Sequence, residues 1–156
     1  MVDDLTHVNA DGDVRMVSVG EKCRTSRVAI AEASVALPPD LKAAVFGTGT
    51  KKGDVLATVR IAAIMAVKNT SSLIPLCHPI EISGITVEVN ETTSGARIEV
   101  RVETVGRTGV EMEAMTGAAI GAVTMYDMIK SVSKGVVLGP IQLLHKSGGK
   151  SGEWNR

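Results

Sequence analysis

Aromatic side chains are almost missing from this 156-residue chain: Phe46, Tyr126 and Trp154 are all it has. A core must therefore be assembled from aliphatic residues, Ala and seven Met, and strands without rings offer no stacking platform for single-stranded RNA. Cysteine is as scarce. Cys23 and Cys77 lie far apart with no Cys-x-x-Cys spacing, so neither an iron–sulfur cluster nor a structural zinc site has enough ligands, and two free thiols point to a reducing compartment. Net charge is absent, with 17 Lys and Arg against 17 Asp and Glu, which argues against a generic nucleic-acid or membrane partner. No apolar run reaches the roughly 18 residues of a membrane span. The opening Met-Val-Asp-Asp-Leu-Thr-His lacks the basic and apolar regions of a secretory signal. The expected setting is the cytoplasm. Internal repeats and low-complexity segments are lacking too.

What is present fits one domain, long enough to bury about two-thirds of its unfolded surface. The positive mean hydropathy, +0.19, in a chain this short suggests that another subunit covers some apolar surface. The stretch Val110–Lys130 reads as a helix. Met112, Met115, Ala119, Val123, Tyr126 and Ile129 recur at three- and four-residue steps and are expected to form its core-facing stripe. Beside them Glu113, Gly117, Ile120, Thr124 and Asp127 set a carboxylate at each end of a floor of small side chains, and Lys130 can pair with Asp127. At about 1.5 Å per residue, Glu113 and Asp127 stand roughly 21 Å apart along the axis at nearly the same azimuth. They cannot hold one atom together. Either the ligand is long, or the two ends belong to sites completed by another subunit. The bland alternative is that Glu111 and Glu113 merely face the helix dipole and that Asp127 and Lys130 form a solvated pair.

Along the chain, residues 1–14 are expected to form a flexible arm, with a turn at Asn9-Ala10-Asp11-Gly12-Asp13. A strand follows over Arg27–Leu37, stopped by Pro38-Pro39, then a short helix over Asp40–Phe46. A glycine- and lysine-rich loop over 47–54 leads into a helix Val55–Lys68 capped near Asp54. Ile82–Val89 alternates, with Ile85, Val87 and Val89 inward, as do Ile98, Val100 and Val102 beyond the hairpin Asn90–Gly95. Val136–Lys146 is a final strand whose Gly139-Pro140 suits an edge or a bulge. The order predicts an α+β, ferredoxin-like split βαβ domain (βαββαβ) over residues 15–146, its antiparallel sheet covered by helices on one face, with a flexible glycine- and lysine-rich tail over 147–156.

Two further stretches carry chemistry. Prolines on both sides of Leu76-Cys77-His78 hold that loop in a narrow range of shapes, able to present a base. A lone His is more often packed or solvated than functional, and nothing in sequence supplies a second metal ligand beside it. The tail Lys146-Ser147-Gly148-Gly149-Lys150-Ser151 resembles a phosphate-binding P-loop only superficially, because its first glycine and its helix are missing. It keeps two ammonium groups suited to an anion. Lysines, carboxylates and a histidine from separate parts of the chain suit a polyanionic small molecule with a polar ring.

Five motifs then carry a resemblance: Lys-Gly-Asp-Val-Leu-Ala-Thr (52–58), Ile-Pro-Leu-Cys-His-Pro (74–79), Gly-Val-Glu-Met-Glu-Ala-Met-Thr (109–116), Met-Tyr-Asp-Met-Ile-Lys (125–130) and Lys-Ser-Gly-Gly-Lys-Ser-Gly-Glu-Trp (146–154). In this order they resemble the MoaC family, the cyclic pyranopterin monophosphate synthases of molybdenum cofactor biosynthesis. The resemblance implies a phosphorus–oxygen lyase that converts a cyclised GTP derivative, supplied by a separate radical iron–sulfur enzyme, into a pterin with a cyclic phosphate, releasing diphosphate. It implies a homohexamer, a trimer of dimers, with sites at subunit interfaces. The family's catalytic aspartate falls on Asp127 and its catalytic lysines on Lys52 and Lys130. Its substrate-binding residues fall on Leu76, Cys77 and His78 and on Met112 and Glu113, with Glu111 beside them and Lys146 and Lys150 near the phosphates. No metal ligand set or cofactor is identified, and magnesium is not indicated by any motif. Ser18, Val28 and His145 depart from the family's usual residues. A rival reading is a non-catalytic ferredoxin-like module that binds a small anion, which leaves Asp127 and Lys130 idle.

Overall fold

Strand β1, Thr25–Ala36, is the centre of the molecule, paired antiparallel with one neighbour on each side. Its alternation is strict: Ala29, Ala31, Ala33 and Val35 point to the covered face and are fully or almost fully buried. This chain is described by a computed structural model covering His7 and residues 11–156. Most of the arm expected over 1–14, with Asn9 and Ala10 of its turn, lies outside the described residues.

After β1 come a short helix α1 (Pro39–Ala43), a π-helical turn (Ala44–Thr48), helix α2 (Val55–Lys68) and the single turn α3 (Thr70–Leu73). Asp54 caps α2 as expected, its Oδ1 accepting from the Ala57 amide at 2.9 Å. Strands β2 (Gly84–Thr92) and β3 (Gly95–Gly106) form the hairpin, then helix α4 (Glu111–Ile129), strand β4 (Val137–Ser147) and the two-residue β5 (Trp154–Asn155) complete the chain. The sheet order β2-β3-β1-β4-β5, antiparallel throughout, is the ferredoxin-like arrangement with a short strand added at one edge. Helix α4 lies on β1, β3 and β4, and α2 lies beside it on β2. Ile98, Val100 and Val102 of β3 are fully buried beneath them. Gly139 and Pro140 sit where the register of β4 against β1 slips, on a stretch of β4 that β5 does not reach, which fits the edge or bulge expected there.

The expected core stripe of α4 is corrected. Met112 and Val123 are 39% and 52% exposed, and of that set Ile129 alone is buried. The covered face consists of Ala114, Gly117, Ala118, Gly121, Ala122 and Met125, ending at Ile129. The reason is proximity. A Cβ on Gly117 would stand 2.7 Å from Val67 Cγ2 and 3.1 Å from Val100 Cγ1, so α4 rests on both α2 and the sheet with no space for larger residues.

The segment expected as a tail turns back after β4. Gly148 (φ 91°) makes that turn where a side chain would strike the Ser26 carbonyl, and β5 then pairs Asn155 with His145 and Trp154 with Lys146.

Candidate active site

The two ends of α4 carry separate constellations. At the C-terminal end, Asp127 lies in the last helical turn, where backbone carbonyls lack intrahelical partners. A tight turn at Thr50–Gly53, closed by the Gly53 amide on the Thr50 carbonyl at 3.0 Å, aims Lys52 at it. Lys52 Nζ donates to the Asp127 carbonyl at 2.6 Å and lies 3.5 Å from Oδ2, while Lys130 Nζ holds Oδ1 at 2.6 Å. The Lys130 hydrogen bond and charge, followed by the Lys52 charge, hold the Asp127 carboxyl below its ordinary pKa, and Asp127 in turn raises Lys130. All three side chains are solvated. A cavity of about 370 Å³ opens beside them between Lys51, Lys52 and Leu41 on one side and Met128, Ser131 and Val132 on the other.

At the N-terminal end, Leu76, Cys77, His78, Glu111, Met112 and Glu113 line one cavity of about 320 Å³. The 74–77 segment is a turn, closed by the Cys77 amide on the Ile74 carbonyl at 3.1 Å, so the neighbours Cys77 and His78 both reach this space instead of pointing apart as in an extended segment. Glu113 is 3% exposed. Burial, reinforced by the charge of Glu111, pushes its carboxyl up to about 7, although its own backbone amide opposes the shift. Burial, and then the charge of Glu113, raises the Cys77 thiol.

A larger cavity, about 880 Å³, adjoins this one, with Lys22, Thr108, Gly109 and Glu111 shared between them. Its wall includes Arg27, Arg107 and Lys150. Arg27 donates from Nε to the Gly106 carbonyl at 3.1 Å and from Nη2 to that of Arg107 at 3.2 Å, which fixes the loop entering α4. Lys146 donates to Ser151 Oγ, beside Lys150. Thr25 Oγ1, buried at this cavity, has no hydrogen-bond partner among the described residues. Sequence reading singled out Lys150 here and missed Lys22, Arg27 and Arg107. The pairing of Thr25 with Gly106 brings those cations together from 80 residues apart, and only the strand register reveals it. Among the described residues no group of three or more His, Cys, Asp or Glu is placed to hold a metal ion.

Residues 16–149 match the model of the MoaC family. The chain belongs to that family. It is 50% identical over 155 residues to the cyclic pyranopterin monophosphate synthase of Thermomicrobium roseum, covering 98% of this chain and 93% of the relative. It is 51% identical over 152 residues to the synthase of the same name from Corynebacterium glutamicum, covering 97% of each. Membership agrees with the geometry: the motif residues fall into two groups, one at each end of α4, with the cationic cavity adjoining the first. No helix among the described residues is long and apolar enough to cross a membrane.

Proposed function

We propose that this chain is a cyclic pyranopterin monophosphate synthase of molybdenum cofactor biosynthesis. Acting as a phosphorus–oxygen lyase, it converts (8S)-3′,8-cyclo-7,8-dihydroguanosine 5′-triphosphate to cyclic pyranopterin monophosphate and diphosphate. A radical iron–sulfur enzyme supplies the substrate, and the reaction takes place in the cytoplasm. Near-complete alignment with synthases of that name supports the reading. The observation that carries it is the meeting of Lys52, Asp127 and Lys130 within hydrogen-bonding distance, since a mere anion-binding module has no use for a carboxylate between two ammonium groups.

In this mechanism Asp127 and Lys130, whose titrations are coupled through their 2.6 Å contact, relay a proton during opening of the purine-derived ring and closure of the pterin. A ribose-derived hydroxyl attacks the innermost phosphorus, the bond to the outer two phosphates breaks, and diphosphate departs. Lys22, Arg27, Arg107, Lys146 and Lys150 neutralise the departing charge, a task of positioning and electrostatics. Leu76, Cys77, His78, Met112 and Glu113 hold the ring, with Glu111 at the rim.

One chain separates Glu113 from Asp127 by 14 residues of helix, roughly 21 Å. A complete site therefore takes one end of α4 from each of two subunits, in keeping with a homohexamer built as a trimer of dimers. Exposed Ile61 and Met65 on α2, Leu73 and Val123 offer apolar surface for such contacts.

The test is phosphorus NMR of the protein with the cyclised nucleotide. Stoichiometric appearance of diphosphate together with a cyclic phosphodiester resonance is expected. A triphosphate that stays intact while bound would overturn the lyase and favour the anion-binding module.

A further inference from the structure

Strand β5 is two residues long, too short for its ladder alone to hold a chain terminus. Side chains supply the rest. His145 on β4 donates from Nδ1 to Asn155 Oδ1 at 2.7 Å, and Asn155 Nδ2 donates onward to Glu153 Oε1 at 3.1 Å. The same carboxylate lies 3.8 Å from His145 Nδ1, closing a three-membered ring of side chains. Arg156 fastens the end, donating through its amide to the Leu144 carbonyl and through Nε to that of Leu143, both at 3.0 Å.

Between β4 and β5 runs the loop 148–153, and its path is dictated by what it touches. Gly148 lies against the Ser26 backbone, Gly149 against the Arg27 guanidinium, and Lys150 and Ser151 enter the wall of the 880 Å³ cavity. A loop with three glycines at positive φ has much conformational freedom to lose. Lys146 donating to Ser151 Oγ and the Gly152 amide to the Gly149 carbonyl hold the loop from within, and an anchor beyond it further narrows the positions open to Lys150.

We propose that His145, with Asn155 and Glu153, is a clasp that positions Lys150 in the cationic cavity. His145 is thus a positioning residue for phosphate binding and does not itself touch the substrate. This rests on the reading of that cavity as the phosphate site. Its donor is the Nδ1 hydrogen, which the Nδ2 of an asparagine reproduces at the same distance along the side chain, so His145→Asn keeps the clasp and His145→Ala removes it.

Trp154 is the only tryptophan of the chain, lies next to Asn155 and is 41% exposed, so acrylamide quenching of its fluorescence reads tail docking directly. Calorimetric titration with inorganic diphosphate reads the cavity. Loss of one ordering hydrogen bond in His145→Ala is expected to raise the quenching constant about twofold and to weaken diphosphate binding about tenfold. The KM for the cyclised nucleotide rises with it while kcat stays within about twofold, and His145→Asn restores all three. Asn155→Ala, at the exposed end of the clasp, repeats the pattern and serves if His145→Ala does not fold. Unchanged quenching in folded His145→Ala or Asn155→Ala overturns the clasp. Raised quenching with unchanged diphosphate affinity overturns the link from clasp to cavity and leaves the synthase reading standing. Failure of the unaltered protein to bind diphosphate overturns the phosphate assignment of the cavity and the proposal with it.

Discussion

The two ends of α4 belong to one rigid element yet treat a carboxylate in opposite ways. Glu113 is buried at the cavity that Leu76, Cys77 and His78 also line, with Glu111 as its charged neighbour, and its carboxyl is driven up to about 7. Asp127 stands in solvent between two ammonium groups and is held below its ordinary value. Surroundings, not residue type, decide which carboxyl holds its proton toward neutral pH and which is anionic there.

Asp127→Asn strikes the comparison hardest. Removing the charge is expected to lower the rate of diphosphate release at least about a hundredfold, the lower range for general acid–base catalysis. The thermal midpoint should scarcely move, because exposed ion pairs contribute little to stability. A variant with normal turnover would end the proton-relay role.

Glu113→Gln tests the opposite end through stability. The folded pKa of Glu113 lies above its ordinary 4.5, so the folded protein binds the proton more tightly than the unfolded chain does. Rising pH therefore destabilises the unaltered protein between about 4.5 and 7, by about 3 kcal/mol in total from the size of the shift. Urea denaturation across that window should show the loss in the unaltered protein and a flatter profile in Glu113→Gln. Parallel profiles would mean that Glu113 ionises without penalty. For Asp127 the sign reverses: its contribution is present above pH 3.8 and fades as pH falls through its lowered value.

Gly117→Ala attacks the seat that unites the ends. The added methyl meets Val67 at 2.7 Å, and overpacking of this kind costs about 1–3 kcal/mol, measurable by chemical denaturation. Unchanged stability would show that α2 can move aside. The finest distinction lies within the C-terminal cluster. Lys130 outweighs Lys52 in lowering Asp127, so an NMR titration should find the Asp127 carboxyl displaced upward more by Lys130→Ala than by Lys52→Ala.

Alternation made β2 and β3 legible from sequence, and Asp54 before an apolar run marked the start of α2. The face of α4 was not legible. Met112 and Val123 outrank Ala114 and Gly121 in hydrophobicity, but hydrophobicity does not register how closely a helix must approach its neighbours. Of the candidate site residues, the motifs put Leu76, Cys77 and His78 beside Glu111, Met112 and Glu113, and the structure gathers all six around one cavity. Lys22, Arg27 and Arg107 belong to no motif and meet only because β1 and β3 end together.

The alanine bed under α4 has one more consequence. Ala29, Ala31 and Ala33 offer methyl groups and nothing longer, so the helix can lie close against the strand. Nineteen residues on that bed act as a ruler of about 28 Å. Any assembly that joins the head of one such helix to the foot of another inherits its spacing from the fold of the single chain, settled before two copies ever meet.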